Sequence, residues 1–287
     1  MSPTVSSLFR YPVKSMGGES HNELTITERG VVGDRVWAVR DEVRGGIRGA
    51  KKIPALMTLS AQFTEDARPQ GSSAALITAA DGSSCKTDAA NVNAWLSDKL
   101  SHAVTLWPLL PADALEHYRR GAPDHEDLES ELREVFARTP DESLPDLSLF
   151  AEVLEFESPP GTYFDAFPIH ILTKQFLASL SKHRTESVFH VDRFRPNLLL
   201  DVPDSDDPFP ENRWVGGQLT IGDIVLDVIG ECPRCAMTTH GFGDLPKDPS
   251  IMRTLVQASN GNAGVYAKVV KGGVVKSGDS VQLSSSA

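Results

Sequence analysis

The chain has 287 residues, 40% hydrophobic and 23% charged, with a formal net charge of −11 and three cysteines. This composition fits a soluble globular protein of one large or two medium domains and excludes a disulfide framework. No basic stripe accompanies the acidity, so nucleic acid is excluded as a partner, and any anionic ligand must be held by local cations against the overall field.

In chain order, residues 5–11, 22–28, 35–40, 56–63 and 74–78 read as short strands, with a turn at 30–34 and a hairpin turn at Asp81-Gly82. A helix is expected from Ala89 to Leu100, with Asp88 as its N-cap. The stretch 118–139 is charged and has room for a short helix; 139–150 is turn-rich, and Ser158-Pro-Pro-Gly161 breaks any regular element. Residues 169–173 read as a buried strand, after which Thr173 caps a helix from Lys174 to about Lys182. Strands follow at 197–201, 218–220, 224–229, 265–270, 274–275 and 280–283. Close-spaced short strands indicate a barrel or a sandwich. The chain divides into a β-rich unit over 1–115, a connecting insertion over 116–160 and a second β-rich unit over 161–287. The acidic runs 125–134 and 201–207 read as solvated surface. The N-terminus lacks a basic region with an apolar core, and no apolar run approaches the roughly 18 residues that span a bilayer. A cytoplasmic protein without membrane contact is the expectation.

Three constellations carry candidate chemistry. Cys232-Pro-Arg-Cys235 is open to three readings: half of a zinc knuckle, a redox pair, or one functional cysteine beside a structural one. Only Cys85 and scattered histidines remain to complete a knuckle, with His240 the nearest candidate. A redox pair usually follows a strand in a βαβ context, which is missing here. Arg234 between the cysteines argues against full burial and favours a thiolate. In Arg193-Phe-Arg-Pro-Asn197, two arginines two apart in extended chain point the same way and make a fork for an oxyanion. The competing reading pairs an arginine with Asp192. Tyr11-Pro-Val-Lys-Ser15, followed by Gly17-Gly18, offers a lysine, a hydroxyl and a flexible loop to a phosphate. Gly33-Asp-Arg35 and Gly46-Ile-Arg48 add arginines near strand ends. His170, inside an apolar strand, reads as a satisfied core residue. Walker A, GxGxxG, HExxH and GxSxG motifs are missing.

Taken in order, Tyr11-Pro-Val-Lys-Ser15, Gly33-Asp-Arg-Val-Trp37, Phe194-Arg-Pro-Asn197, Leu219-Thr-Ile-Gly-Asp223, Cys232-Pro-Arg-Cys-Ala-Met-Thr-Thr239 and Ser277-Gly-Asp279 resemble the MOSC-domain family with its N-terminal MOSC-type β-barrel domain. The mitochondrial amidoxime-reducing component and bacterial reductases of N-hydroxylated compounds belong to that family. The resemblance implies a mainly β fold with some α, in which a β-barrel-like domain precedes a β-barrel MOSC domain. It implies the molybdenum cofactor (Mo-molybdopterin), with Cys235 as the metal ligand and catalytic residue. Lys14, Ser15, Arg35, Arg195 and Asn197, joined by Arg48, Asp165 and Thr238, would face the pterin and its phosphate. The implied activity is two-electron reduction of a small N-oxygenated substrate. Three cysteines cannot hold a four-cysteine cluster, so electrons are expected from a separate flavoprotein or ferredoxin-type protein. A cofactor carrier without turnover and a specialised biosynthetic enzyme are the alternatives. Two departures stand out. His240-Gly-Phe-Gly-Asp244 replaces the usual Val-Asp and proline after Thr239, and 118–160 is longer than usual, as a lid or partner surface would be.

Overall fold

The computed structural model describes residues 2–150, 155–203 and 206–285. Eight strands form its main sheet, in the order Val281–Ser285, Gly217–Ile221, Ile224–Pro233, Asn262–Lys271, Ile169–Thr173, Leu198–Asp201, Thr4–Arg10 and Glu19–His21. The pair Ile169–Thr173 and Leu198–Asp201 is parallel, and the other neighbours are antiparallel. The sheet curls shut on itself. Thr4 bridges Ser280, the Val5 amide donates to the Asp279 carbonyl at 2.9 Å, and the Val281 amide donates to that of Pro3 at 2.8 Å. Closure removes edges that would otherwise offer unpaired backbone. Alternation fills the interior: along Ile224–Pro233 every second residue is buried, and Ile224, Leu226 and Val228 meet Val5, Ile171 and Val265 inside the barrel.

All five residues of Ile169–Thr173 are buried, because helices cover the outer face of this strand. The helix Lys174–His183 starts as expected, with Thr173 Oγ1 accepting from the Phe176 amide at 3.1 Å. A second helix, Ser250–Ser259, was not read from the sequence; its Ile251, Met252 and Leu255 pack with Phe176 and Leu180, and it stops at Asn260 in a left-handed conformation.

The first third of the chain adds Trp37–Asp41 paired with Val104–Pro108, and a meander of Ser60–Phe63, Ala75–Thr78 and Ser84–Lys86, over its own core. Glu23–Thr27 pairs with Gly273–Lys276, so the two ends of the chain interleave. Two local expectations change. Residues 56–63 are not one strand: Pro54 opens a 3-10 turn to Thr58, and pairing starts at Ser60. The helix expected from Ala89 is Val92–Leu100, preceded by Asn91 without a side-chain cap, since turns from Lys86 to Ala89 and from Ala89 to Val92 use up the residues before it.

The acidic run 125–134 is not plain solvated surface. Asp127 caps the helix Leu128–Val135, and the Lys52 ammonium lies 2.7 Å from Asp124, 2.9 Å from Glu131 and 2.6 Å from Glu134. In the other run Asp201 pairs with Lys174, while residues 204 and 205 lie outside the described residues. Among the described residues no helix is long and apolar enough to cross a membrane.

Glu211 is fully buried, and its carboxylate accepts from Thr173 Oγ1 at 2.7 Å. Burial pushes this carboxyl up to about 7 from 4.5, so the fold favours the protonated form. The associated stability is fully present below the unfolded pKa and is lost as pH rises to about 7. Urea unfolding of wild type and Glu211→Gln at acidic and mildly alkaline pH should show the difference shifting in favour of the variant by on the order of 3 kcal/mol as pH rises. A difference that stays constant with pH would mean that Glu211 titrates normally.

Candidate functional site

Backbone pairing assembles the motifs. Segment 11–15 runs beside 35–37: the Arg35 amide donates to the Tyr11 carbonyl at 2.7 Å, and the Lys14 amide to that of Trp37 at 2.8 Å. Asn197 stands between strands, its amide donating to the His170 carbonyl at 2.8 Å and its carbonyl accepting from Phe9 at 2.9 Å. Ser15, Arg35 and Arg195 have φ of 69°, 50° and 54°, three of the six described non-glycine residues with positive φ. Such backbone costs about 1–3 kcal/mol per residue and gathers where a side chain must be aimed.

Between the two β-rich units lies a cavity of about 390 Å³. Of the nine expected residues, Arg35, Arg48, Asp165, Arg195, Asn197 and Cys235 line it. Lys14, Ser15 and Thr238 stand behind the wall. Lys14 Nζ donates to Asp165 at 2.6 Å and to the Tyr163 carbonyl at 2.9 Å. Ser15 Oγ accepts from the Ala50 amide at 2.9 Å, and Thr238 Oγ1 donates to the Cys235 carbonyl at 3.1 Å. Leu128, Leu132, Val135 and Phe136 of the insertion also line the cavity. Arg48 is held there by Asp124 at 3.1 Å and by the Ala122 carbonyl.

The electrostatics are unusual for an acidic protein. Asp165 keeps 61% of its side chain uncovered, as a cavity-lining group does. Desolvation would raise its pKa, but Lys14, Lys51 and Arg35 hold it well below the usual carboxylate range. Burial pushes Lys14 down, with Asp165 opposing. Arg35 and Arg195 share one aromatic neighbour: their guanidinium carbons lie 4.9 Å and 4.1 Å from the Tyr11 ring centre, and Arg35 pairs with Asp34. Burial lowers Arg195 to about 10, which leaves it charged at neutral pH. Arg195 donates to the Met16 carbonyl, but its buried Nη2 has no partner, and neither does the buried Nε of Arg234. A buried, unpaired guanidinium nitrogen costs desolvation energy unless an acceptor reaches it. Two such atoms on one cavity wall fit a ligand with anionic oxygens. His170 is pushed down to about 3 by burial and bonds the Ala263 carbonyl at 2.9 Å, so it is a neutral core residue, as expected.

The two cysteines part company. Cys235, half-buried, ends the turn after Ile224–Pro233 and lines the cavity. Cys232 is fully buried in an aromatic cluster with Phe150 and Tyr266, and Arg234 Nη1 lies 2.8 Å from its sulfur. Both are free thiols. Burial pushes the Cys232 thiol up, although Arg234 opposes this. This geometry supports one functional and one structural cysteine. His240 bonds the Ala50 carbonyl at 3.1 Å and completes no knuckle.

Two sequence expectations need correction. Arg234 does not keep the turn open: it is 9% exposed and donates to the Phe194 carbonyl at 2.8 Å. Arg193 and Arg195 do not form a fork, because 191–193 is a 3-10 turn and Arg195 is left-handed. Arg193 is fully buried and donates to the carbonyls of Val188, Thr238, His240 and Pro246, bracing the loop after Cys235. Neither arginine pairs with Asp192, which meets His190 instead. Tyr11, Lys51 and Arg234 were not singled out as site residues. Only Tyr11 and Arg234 had a signal, as members of the quoted motifs.

Residues 160–282 match the family model described as MOSC domain, and residues 2–103 match that described as MOSC N-terminal beta barrel domain. The chain is 25% identical to mitochondrial amidoxime reducing component 2 of Bos taurus, over 97% of this chain and 82% of that protein. It is 26% identical to mitochondrial amidoxime-reducing component 1 of Mus musculus, over 82% of this chain and 65% of that protein. A stretch of 78 residues, 26% of this chain and 9% of the relative, is 35% identical to molybdenum cofactor sulfurase of Drosophila mojavensis. Among solved structures, the YUAD protein from Bacillus subtilis aligns over 100% of this chain and 98% of its own, with a TM-score of 0.45 and 12% identity.

The contrast between the arginines is measurable. Arg193→Met should cost roughly 3 kcal/mol or more in urea unfolding, because it strands four carbonyls that a charged donor had satisfied. Arg195→Met should cost under about 1 kcal/mol, since it also removes a poorly partnered buried charge. Equal losses would mean that Arg195 is structural too.

Proposed function

We infer the function from one premise: this chain belongs to the MOSC-domain family. On it we propose a molybdenum-cofactor-dependent reductase of N-oxygenated compounds that takes its electrons from a separate protein. The observation that carries the reading is the pairing, on one cavity wall, of a half-exposed cysteine with two partnerless buried guanidinium nitrogens. A soft thiolate suits a high-valent metal already bound by sulfur, and the guanidinium groups suit a phosphate. Cys235 would hold the metal, Arg195 and Arg234 would hold the anionic part, and Asn197 would present its amide to the pterin. When bound, the cofactor would supply the two-electron redox chemistry.

The remaining residues prepare that surface. Lys14 fixes the Asp165 carboxylate at 2.6 Å and keeps it ionised, so Asp165 would present a fixed negative charge and hydrogen-bond acceptor to the ligand rather than take up a proton. The Arg35–Asp34 pair sets the Tyr11 ring against which Arg195 rests. Thr238 and Arg193 hold the backbone on either side of the turn that aims Cys235. The apolar side chains of the insertion would form a ceiling that limits water over a bound cofactor. That same ceiling favours a second reading, a carrier that holds the cofactor without turning over. The two readings part when reduced viologen is offered with a hydroxylamine or an amidoxime: a reductase consumes the viologen and a carrier does not.

Protein made in a host that synthesises the cofactor should contain about one molybdenum per chain and release pterin on acid oxidation. Stoichiometric zinc without pterin would overturn the proposal.

Cys235→Ser should lose reductase activity by at least about a hundredfold while retaining pterin, because the hydroxyl is a poorer donor to a soft centre. Cys232→Ser should keep most of its activity, since its sulfur is buried away from the cavity. Equal loss in both would point to a dithiol function instead.

A further inference from the structure

A second cavity, of about 520 Å³, backs onto the first. Arg35, Phe150, Ala166 and Phe167 line both, so the two cavities are neighbours that share part of their lining. The second cavity is apolar inside, where Phe150, Phe164, Phe167 and Leu149 gather. Its charged residues run against the sign of the protein. Arg29, Arg35, Arg68 and Lys268 line it against Glu28 and Asp34, in a chain whose net charge is −11. Asp34 is spent on Arg35 and on the Tyr11 amide at 2.7 Å. Among the described residues, Arg29, Arg68 and Lys268 have no ion-pair partner, and the Lys268 ammonium lies 5.5 Å from the centre of the Phe167 ring.

Exposed cations in an acidic protein usually find carboxylates, as Arg44, Arg119 and Lys174 do here. Three that find none, around one apolar hollow, make a complementary surface for a molecule with the opposite arrangement. We propose that this second cavity binds a small amphipathic anion, an aromatic or aliphatic body carrying one carboxylate. The apolar body would displace water from the phenylalanine walls, and the carboxylate would stay at the rim between Arg29, Arg68 and Lys268. The rim charges draw such ligands in against the repulsion of the whole protein, and salt screens that attraction. The proposal does not depend on the cofactor reading, because none of these three cations lines the first cavity.

Equilibrium dialysis of the purified full chain against phenylbutyrate, phenylbutanol and phenylbutylamine tests the idea with three bodies of one shape and different charge. Phenylbutyrate should bind roughly tenfold or more tightly than the alcohol at low salt, with the amine weakest, and the gap should shrink as salt rises. Arg29→Gln, Arg68→Gln and Lys268→Gln together should bring acid and alcohol to the same affinity. These side chains are exposed, so the melting temperature should hold and show the variant folded. Arg195→Met, which alters only the first cavity, should leave the preference intact. Equal binding of acid and alcohol by the wild type, no binding of any of the three, a triple variant that keeps the preference, or loss of the preference in Arg195→Met would each overturn the proposal.

Discussion

The ion pair between Lys14 and Asp165, 2.6 Å long, is the constraint around which the rest is arranged. Lys14 is 3% exposed and comes from the first β-rich unit; Asp165 comes from the start of the second. A lysine this deep must be paired, because burial alone pushes it toward neutrality. The Tyr163 carbonyl and Ser158 Oγ complete its shell, so one side chain ties segment 11–15 to segment 158–165. The seam it closes is also where the cavity opens, and the carboxylate that neutralises Lys14 forms part of the cavity wall.

This arrangement reassigns the work among the cations. With its ammonium committed to Asp165, Lys14 has little left for a phosphate, although sequence reasoning had made it a phosphate contact. Arg35 is likewise committed to Asp34. The donors that remain are Arg195 and Arg234, each with one buried nitrogen unsatisfied. The paired residues hold the geometry, while the incompletely paired ones are left to meet a ligand. The left-handed backbone at Arg35 and Arg195 serves this division, since both side chains reach Tyr11 from separate non-strand segments of the chain.

The strands of the large sheet were legible because one-sided burial prints a period of two, as in 224–229, and because the run 169–173 is mostly apolar. The cap at Thr173 was legible for the same local reason. The helix Ser250–Ser259 was not, although Ile251, Met252 and Leu255 carry its spacing, because strands flank it and it begins after Pro249 without a side-chain cap. At the site, motifs named residue types but not their directions. Arg193 and Arg195 look equivalent in sequence, yet a 3-10 turn sends one into the loop after Cys235 and a positive φ sends the other to the cavity. Nothing in a string of letters marks positive φ at an arginine. The roles of Lys51 and Lys52 were equally hidden, since their partners lie far along the chain in the insertion and at Glu157.

The insertion shows a second way of managing charge. At the base of the cavity, Lys14 and Arg35 each pair with one carboxylate, Asp165 and Asp34. At its lip, Arg48 and Lys52 are neutralised by Asp124, Glu131 and Glu134, which sit on a short helix and its approach. None of the residues of that helix is fully buried, so packing holds it weakly and the ion pairs carry much of its attachment. Pairs of this kind are partly solvated and weaken with ionic strength. The acidic segment therefore satisfies Arg48 and Lys52 from within the chain, and it sets apolar residues over the cavity as it does so. Charge at the lip is thus balanced by carboxylates from the insertion, whereas the guanidinium nitrogens of Arg195 and Arg234 that find no partner belong to residues of the cavity wall itself.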